Sequence, residues 1–140
     1  MRLVTLIATG ALLLALPGIA SAKVWATDAV VHPGAAGGPP TAAYLTLHND
    51  GGKPVKLTGV DCGCAEMVMA HRSSEQNGIA HMAPTDAVVI PPHGKVSFAP
   101  GGLHLMLMSL KRSIKTGESV PMTLRFDAAK PLTVRFPAKR

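Results

Sequence analysis

Between residues 25 and 136 the chain is cut, again and again, into short apolar segments by glycine and proline, and no stretch carries a helical 3.6-residue period. With 14 Gly and 12 Pro in 140 residues, turn formers end each segment before a helix of ordinary length can develop. The segments are Trp25–Val31, Ala42–His48, Val55–Val60, Ala65–His71, Ile79–Met82, Ala87–Ile90, Lys95–Phe98, Leu103–Leu110, Ser119–Phe126 and Leu132–Phe136. Ala42–His48 alternates as a half-buried strand does, and Asn49-Asp50-Gly51-Gly52 follows it as a strong turn. Short, closely spaced strands with Gly/Pro turns predict an all-β domain, a Greek-key sandwich or barrel.

The first 22 residues read as a segment apart. Arg2 gives a short positive start, Leu3 to Leu16 is almost wholly apolar, and Pro17-Gly18 breaks that run. Ala20-Ser21-Ala22 then supplies the small residues a signal peptidase needs. The apolar run is short for a bilayer span, so the expectation is a cleaved signal peptide over 1–22 and one exported domain over 23–140, with no stable membrane insertion after cleavage. A chain of this length builds a core without disulfide staples. The formal net charge of +6, one unit of it from Arg2, is scattered rather than gathered into a stripe. One Trp, one Tyr and three Phe leave little for base stacking, which argues against nucleic-acid binding. A modest positive excess suits docking on an acidic partner.

Of the six methionines after the leader, five fall between residues 67 and 108, and His71, His81, His93 and His104 fall in the same interval. A thioether is a soft, neutral donor that prefers Cu(I), whereas zinc sites draw on Cys, His and carboxylates. In Leu103–Met108 the leucines take one face of a strand, and His104, Met106 and Met108 take the other. Met67, Met69 and His71 likewise share a face. Methionine also fills cores, so alternation alone leaves a copper site and a methionine-rich core both open.

The spacing His71, ten residues, Met82, twenty-one residues, His104, one residue, Met106 resembles the motif of the periplasmic copper chaperones called PCuAC. Ala43-Tyr44-Leu45-Thr46-Leu47 with Asn49, the run Pro100 to Lys111, and Gly117 to Phe126 are similar to the same family, so the resemblance covers nearly the whole of 23–140. It implies a cupredoxin-like β-sandwich or barrel with His71, Met82, His104 and Met106 as ligands to Cu(I). It also implies a monomeric, non-enzymatic periplasmic carrier. The acceptor would be the copper subunit of cytochrome c oxidase, a Sco-type protein or a related partner, and broader copper buffering or resistance is the neighbouring role. Two imidazoles and two thioethers form a neutral set suited to Cu(I) transfer, and no Cys follows Cys64 to make a blue-copper electron carrier. Imidazole ligation predicts an affinity that falls as pH drops below about 6.5.

Cys62-Gly63-Cys64 lies outside that motif. Three readings stay open: a small disulfide that needs a bend at Gly63, a reduced pair acting as a second copper site or relay, and buried apolar thiols. Reactive thiols would make the chain a thiol-disulfide exchange protein, although the usual C-x-x-C spacing is absent. A third class is an immunoglobulin-like interaction module. Met69 and Met108 are candidate pocket walls, His81 is expected to point away from Met82, and His32, His48 and His93 are expected in solvent. Trp25 is expected to anchor the N-terminus by packing.

Overall fold

The computed structural model describes residues 23–140, and the expected leader over 1–22 lies outside the described residues. Ten strands follow one another: β1 (Val24–Val31), β2 (Thr41–Asn49), β3 (Val55–Asp61), β4 (Ala65–Gln76), β5 (Ile79–Pro84), β6 (Val88–Ile90), β7 (Gly94–Phe98), β8 (Leu103–Leu110), β9 (Ser119–Phe126) and β10 (Leu132–Pro137). Among the described residues there is no helix. Each expected segment is a strand, with bounds that differ by a residue or two except in β4.

The strands form one sheet in the order β1-β2-β8-β4-β3-β9-β10, with β5 added to β4, β6 to β3 and β7 to β2. All the strand pairs within it are antiparallel, and β2–β8, β8–β4 and β3–β9 join strands distant in sequence, as Greek-key crossings do. A parallel bridge from Val31 to Ala138 ties the two ends of this path, so the sheet nearly closes into the expected cupredoxin-like barrel. Alternation decides what fills it. Leu45 and Leu47 of β2, Leu105 and Leu107 of β8, Met122 and Leu124 of β9 and Phe136 of β10 all point inward and are fully buried.

Polar groups pin two connections. Asn49 is buried at the end of β2; its Nδ2 donates to the carbonyls of Lys53 (2.8 Å), Ile90 and Pro91, and its Oδ1 accepts from the Gly51 amide. One side chain thus holds the β2–β3 turn against the end of β6. At the other turn, Cys62 and Cys64 form a disulfide with Cα atoms 5.1 Å apart. β3 ends at Asp61 and β4 begins at Ala65, so the pair occupies a turn rather than an extended strand, which supplies the bend the short spacing requires.

β4 departs most from expectation, running on to Gln76 instead of stopping at His71. It turns through Asn77-Gly78, both with positive φ (52° and 76°), into β5, with Gln76 facing Ile79. That two-residue turn with two left-handed positions is the type I′ hairpin, whose twist matches the flanking strands. Every residue of β5 is exposed, so the β4–β5 hairpin stands clear of the core. With neither face buried there, the sequence carries no apolar alternation to mark it.

Candidate metal centre

The site is laid out by the β4–β8 ladder. Its register sets His71 opposite His104, Met69 opposite Met106 and Met67 opposite Met108, while Val68 and Ala70 face Leu107 and Leu105. Directly opposed residues of an antiparallel pair project to the same side. Leucine and valine therefore turn to the core, and two histidines and four methionines share the outer side of the barrel. The alternation ends at Ser109, which takes a left-handed φ of 53° and returns Leu110 to the core.

Burial deepens along this face from Met67, 53% exposed, to His104, 5% exposed. The outer face of a barrel strand is ordinarily solvated, so a buried His104 departs from that pattern. The β4–β5 hairpin causes it. β5 runs along the far side of β4 with Ser73 opposite Met82 and His71 opposite Pro84, which aims Met82 across the top of β4. Its Sδ reaches His104 Nε2 at 3.2 Å. His71 sits where β4 has a neighbour on each side, and its ring stands edge-on to that of His104, with centroids 5.9 Å apart.

His104 Nδ1 lies 3.2 Å from the Gly102 carbonyl oxygen, which only accepts, so Nδ1 carries a proton and donates it. Nε2, on the other side of the ring, faces the Met82 thioether. Backbone-fixed Nδ1–H with a free Nε2 is the arrangement by which proteins orient metal-binding imidazoles. His71 Nε2 is buried and has no hydrogen-bond partner. Burial, and to a lesser degree the neighbouring His104, hold the His71 pKa below the ordinary 6.5, so this ring is neutral at neutral pH. Two imidazoles and a thioether thus meet within one small region, with one buried ring nitrogen left without a partner. Among the described residues no three His, Cys, Asp or Glu side chains gather, so the harder donor sets typical of zinc or calcium are not available.

Of the four residues singled out from sequence, the fold sets His71 beside His104 and Met82 against His104, and it puts Met106 on the same face two residues along β8. Met106 lies between Met69 on β4 and the small Ala42 on β2. His81 faces Ser74 and is exposed, turned away from Met82 as alternation requires. The disulfide is separated from His71 by six residues of β4, on the order of 20 Å of extended chain. His32 and His93 are exposed as expected. His48 is not: it is half-buried, accepts or donates a 2.8 Å hydrogen bond with Thr27 Oγ1, and stacks on Trp25 with rings 5.0 Å apart. Trp25 packs on this outer face and stays 37% exposed, so it clasps β1 to β2 from outside. The Gly102 carbonyl, which orients His104, is a functional group sequence reasoning misses, because its role follows from a backbone contact that no side-chain pattern encodes.

The LpqE-like family model, described as "Putative lipoprotein LpqE-like", matches residues 19–138. A "Putative lipoprotein Lxx21020" from Leifsonia xyli subsp. xyli (strain CTCB07) is 30% identical over 123 residues, spanning 87% of this chain and 70% of that protein. Among solved structures, the copper-bound PCuAC domain from PmoF2 superposes with a TM-score of 0.71 at 24% identity, over 86% of this chain and 95% of that one, a likeness of fold. The solution structure of CuI-DR1885 from Deinococcus radiodurans superposes with a TM-score of 0.64 at 33% identity, over 87% of this chain and 82% of that one. The chain belongs to the LpqE-like family, and its barrel is the cupredoxin-like barrel of PCuAC domains.

Proposed function

We propose that this protein is an exported Cu(I) carrier that holds one ion through His71, Met82, His104 and Met106 and passes it to a copper-accepting protein. The observation that carries the reading is the unpartnered, buried Nε2 of His71 beside the Nε2–Sδ contact of His104 and Met82. A buried nitrogen left unmet costs stability, and a soft monovalent cation bound by these side chains would give it a partner. The Cu(I) form of DR1885, one third identical to this chain, supports the choice of ion. In this reading residues 1–22 direct export and are removed, and 23–140 work in the periplasm as a monomer. The ligand set is neutral, and one donor stands on an exposed hairpin, which suits handing over an ion better than redox turnover. Delivery to the copper centre of cytochrome c oxidase, directly or through a Sco-type protein, is the acceptor that fits best.

Anaerobic Cu(I) titration against a competing chelator tests this. One tight site is expected, lost when Met82 and Met106 are both changed to Leu and retained when Cys62 and Cys64 are both changed to Ser. Loss of the tight site in the cysteine variant alone would sink the assignment and favour thiol chemistry.

A further inference from the structure

The outer face of β4 and β8 holds more sulfur than the proposed site uses. Beyond Met106, the same face carries Met69, Met67 and Met108. Several outward positions on nearby strands are polar, among them Lys56 and Thr58 on β3, Thr46 on β2 and Arg125 on β9. β4 and β8 instead repeat one residue type, methionine, on both strands. Met67 is 53% exposed, so core packing does not explain it.

We propose that Met67, Met69 and Met108 form a second, weaker site for a soft monovalent ion, next to the first and nearer solvent. The choice of Cu(I) as that ion rests on the function proposed above; the clustering of the sulfurs does not. Met67 and Met108 are directly opposed, and Met69 is the diagonal neighbour of Met108. Opposed Cβ atoms stand about 5 Å apart and diagonal ones about 7 Å, within reach of flexible side chains as long as methionine. Three thioethers can therefore reach one point without movement of the backbone. Thioethers select soft ions, and the charged groups beside Met67 and Met108, Glu66 and Lys111, are of opposite sign. Without an imidazole, and with water competing at an exposed sulfur, binding is weaker than at the first site.

The two sites are linked by Met106. It opposes Met69 and lies between His104 and Met108 on β8. Each two-residue step along a strand covers about 7 Å, so Met106 stands one such step from His104 and one from Met108. The second site is thus a way station for exit or entry along the ladder.

Methionines labelled with 13C at the ε-methyl resolve the donors one by one, with Ag(I) as a redox-inert probe of Cu(I). The first equivalent is expected to shift the Met82 and Met106 methyls, and the second those of Met67, Met69 and Met108, with the buried Met122 unmoved as an internal reference. In the Met67→Leu/Met108→Leu variant the second response should disappear and the first persist at unchanged affinity. In a His71→Phe/Met82→Leu variant the Met67 and Met108 methyls should still respond, and they should do so with the first equivalent. The second site therefore stands or falls apart from the first. Silent Met67 and Met108 methyls at several-fold excess of Ag(I) would overturn the proposal, as would responses that survive the Met67→Leu/Met108→Leu substitution elsewhere on the face.

Discussion

Changing His71 to Phe should make the ion-free protein more stable while abolishing tight Cu(I) binding. The wild-type ring keeps a buried Nε2 without a partner. A buried polar atom left unsatisfied costs about 1–3 kcal/mol. Phenylalanine removes that atom and retains an edge-on aromatic contact to His104, a contact worth about 0.5–1.5 kcal/mol. His71 is only half-buried, so the slightly larger ring has room toward solvent. A net gain of about 1 kcal/mol is expected, which in a domain of this size raises the melting temperature by roughly 4 °C and the urea midpoint by about 0.3–1 M. Urea melts of both proteins with a Cu(I) chelator present supply the measurement. The gap has a pH dependence of known sign. The folded pKa of His71 is lowered, so below pH 6.5 the unfolded chain takes up the proton more readily than the folded one. Wild-type stability from this residue is full above 6.5 and is lost as pH falls through the folded pKa. The variant has no such group, and its advantage should widen from pH 7 to pH 5. Added Cu(I) should reverse the order, because an ion at 100 times its Kd stabilises the wild type by about 2.7 kcal/mol and has no tight site in the variant. A variant less stable than wild type by 1 kcal/mol without the ion, and with a gap that does not move with pH, would refute the claim that this nitrogen is held unsatisfied.

Two further outcomes are expected. Asn49→Ala should cost about 2–3 kcal/mol in urea melts, since it leaves the Lys53 carbonyl and the Gly51 amide without the partner that binds them into the buried end of β2; a loss under 0.5 kcal/mol would mean water replaces the clamp at no cost. Cu(I) affinity measured from pH 7.5 to 5 should fall on acidification, by up to one decade per pH unit for each imidazole that must shed a proton. A lowered His71 pKa delays its share to lower pH than a free imidazole would show, and a flat profile would exclude imidazole ligation.

Strand positions were legible because each strand has one buried face. Leu103, Leu105 and Leu107 alternate with His104, Met106 and Met108, and the barrel buries the leucines as the pattern says. The donors were legible from their type and spacing. What the chain could not disclose was register, since nothing in a list of residues says that His71 stands opposite His104 rather than opposite Met106. The second half of β4 was hidden for a different reason: Ser74 and Glu75 pair with β5 while exposed and Ser73 is only half-buried, so no buried apolar face marks them as a strand. The burial of His104 was hidden with it, because the cover comes from the hairpin. The disulfide depended on a bend whose presence at Gly63 the sequence permitted without requiring.

The exposed β4–β5 hairpin sets a timescale. It has no buried apolar contacts in β5 and is held by ladder hydrogen bonds open to solvent, so its opening free energy lies far below that of the barrel. Its amides should exchange with solvent orders of magnitude faster than those of β8. Met82 rides on that hairpin, whereas His104 and Met106 belong to β8, whose Leu103, Leu105 and Leu107 are buried in the core. One contact of the site can therefore break at the rate at which the hairpin frays, while the rest waits on global unfolding. How tightly the site holds and how quickly it lets go are thus governed by different parts of the chain, and a substitution at Asn77 or Gly78 should change the second far more than the first.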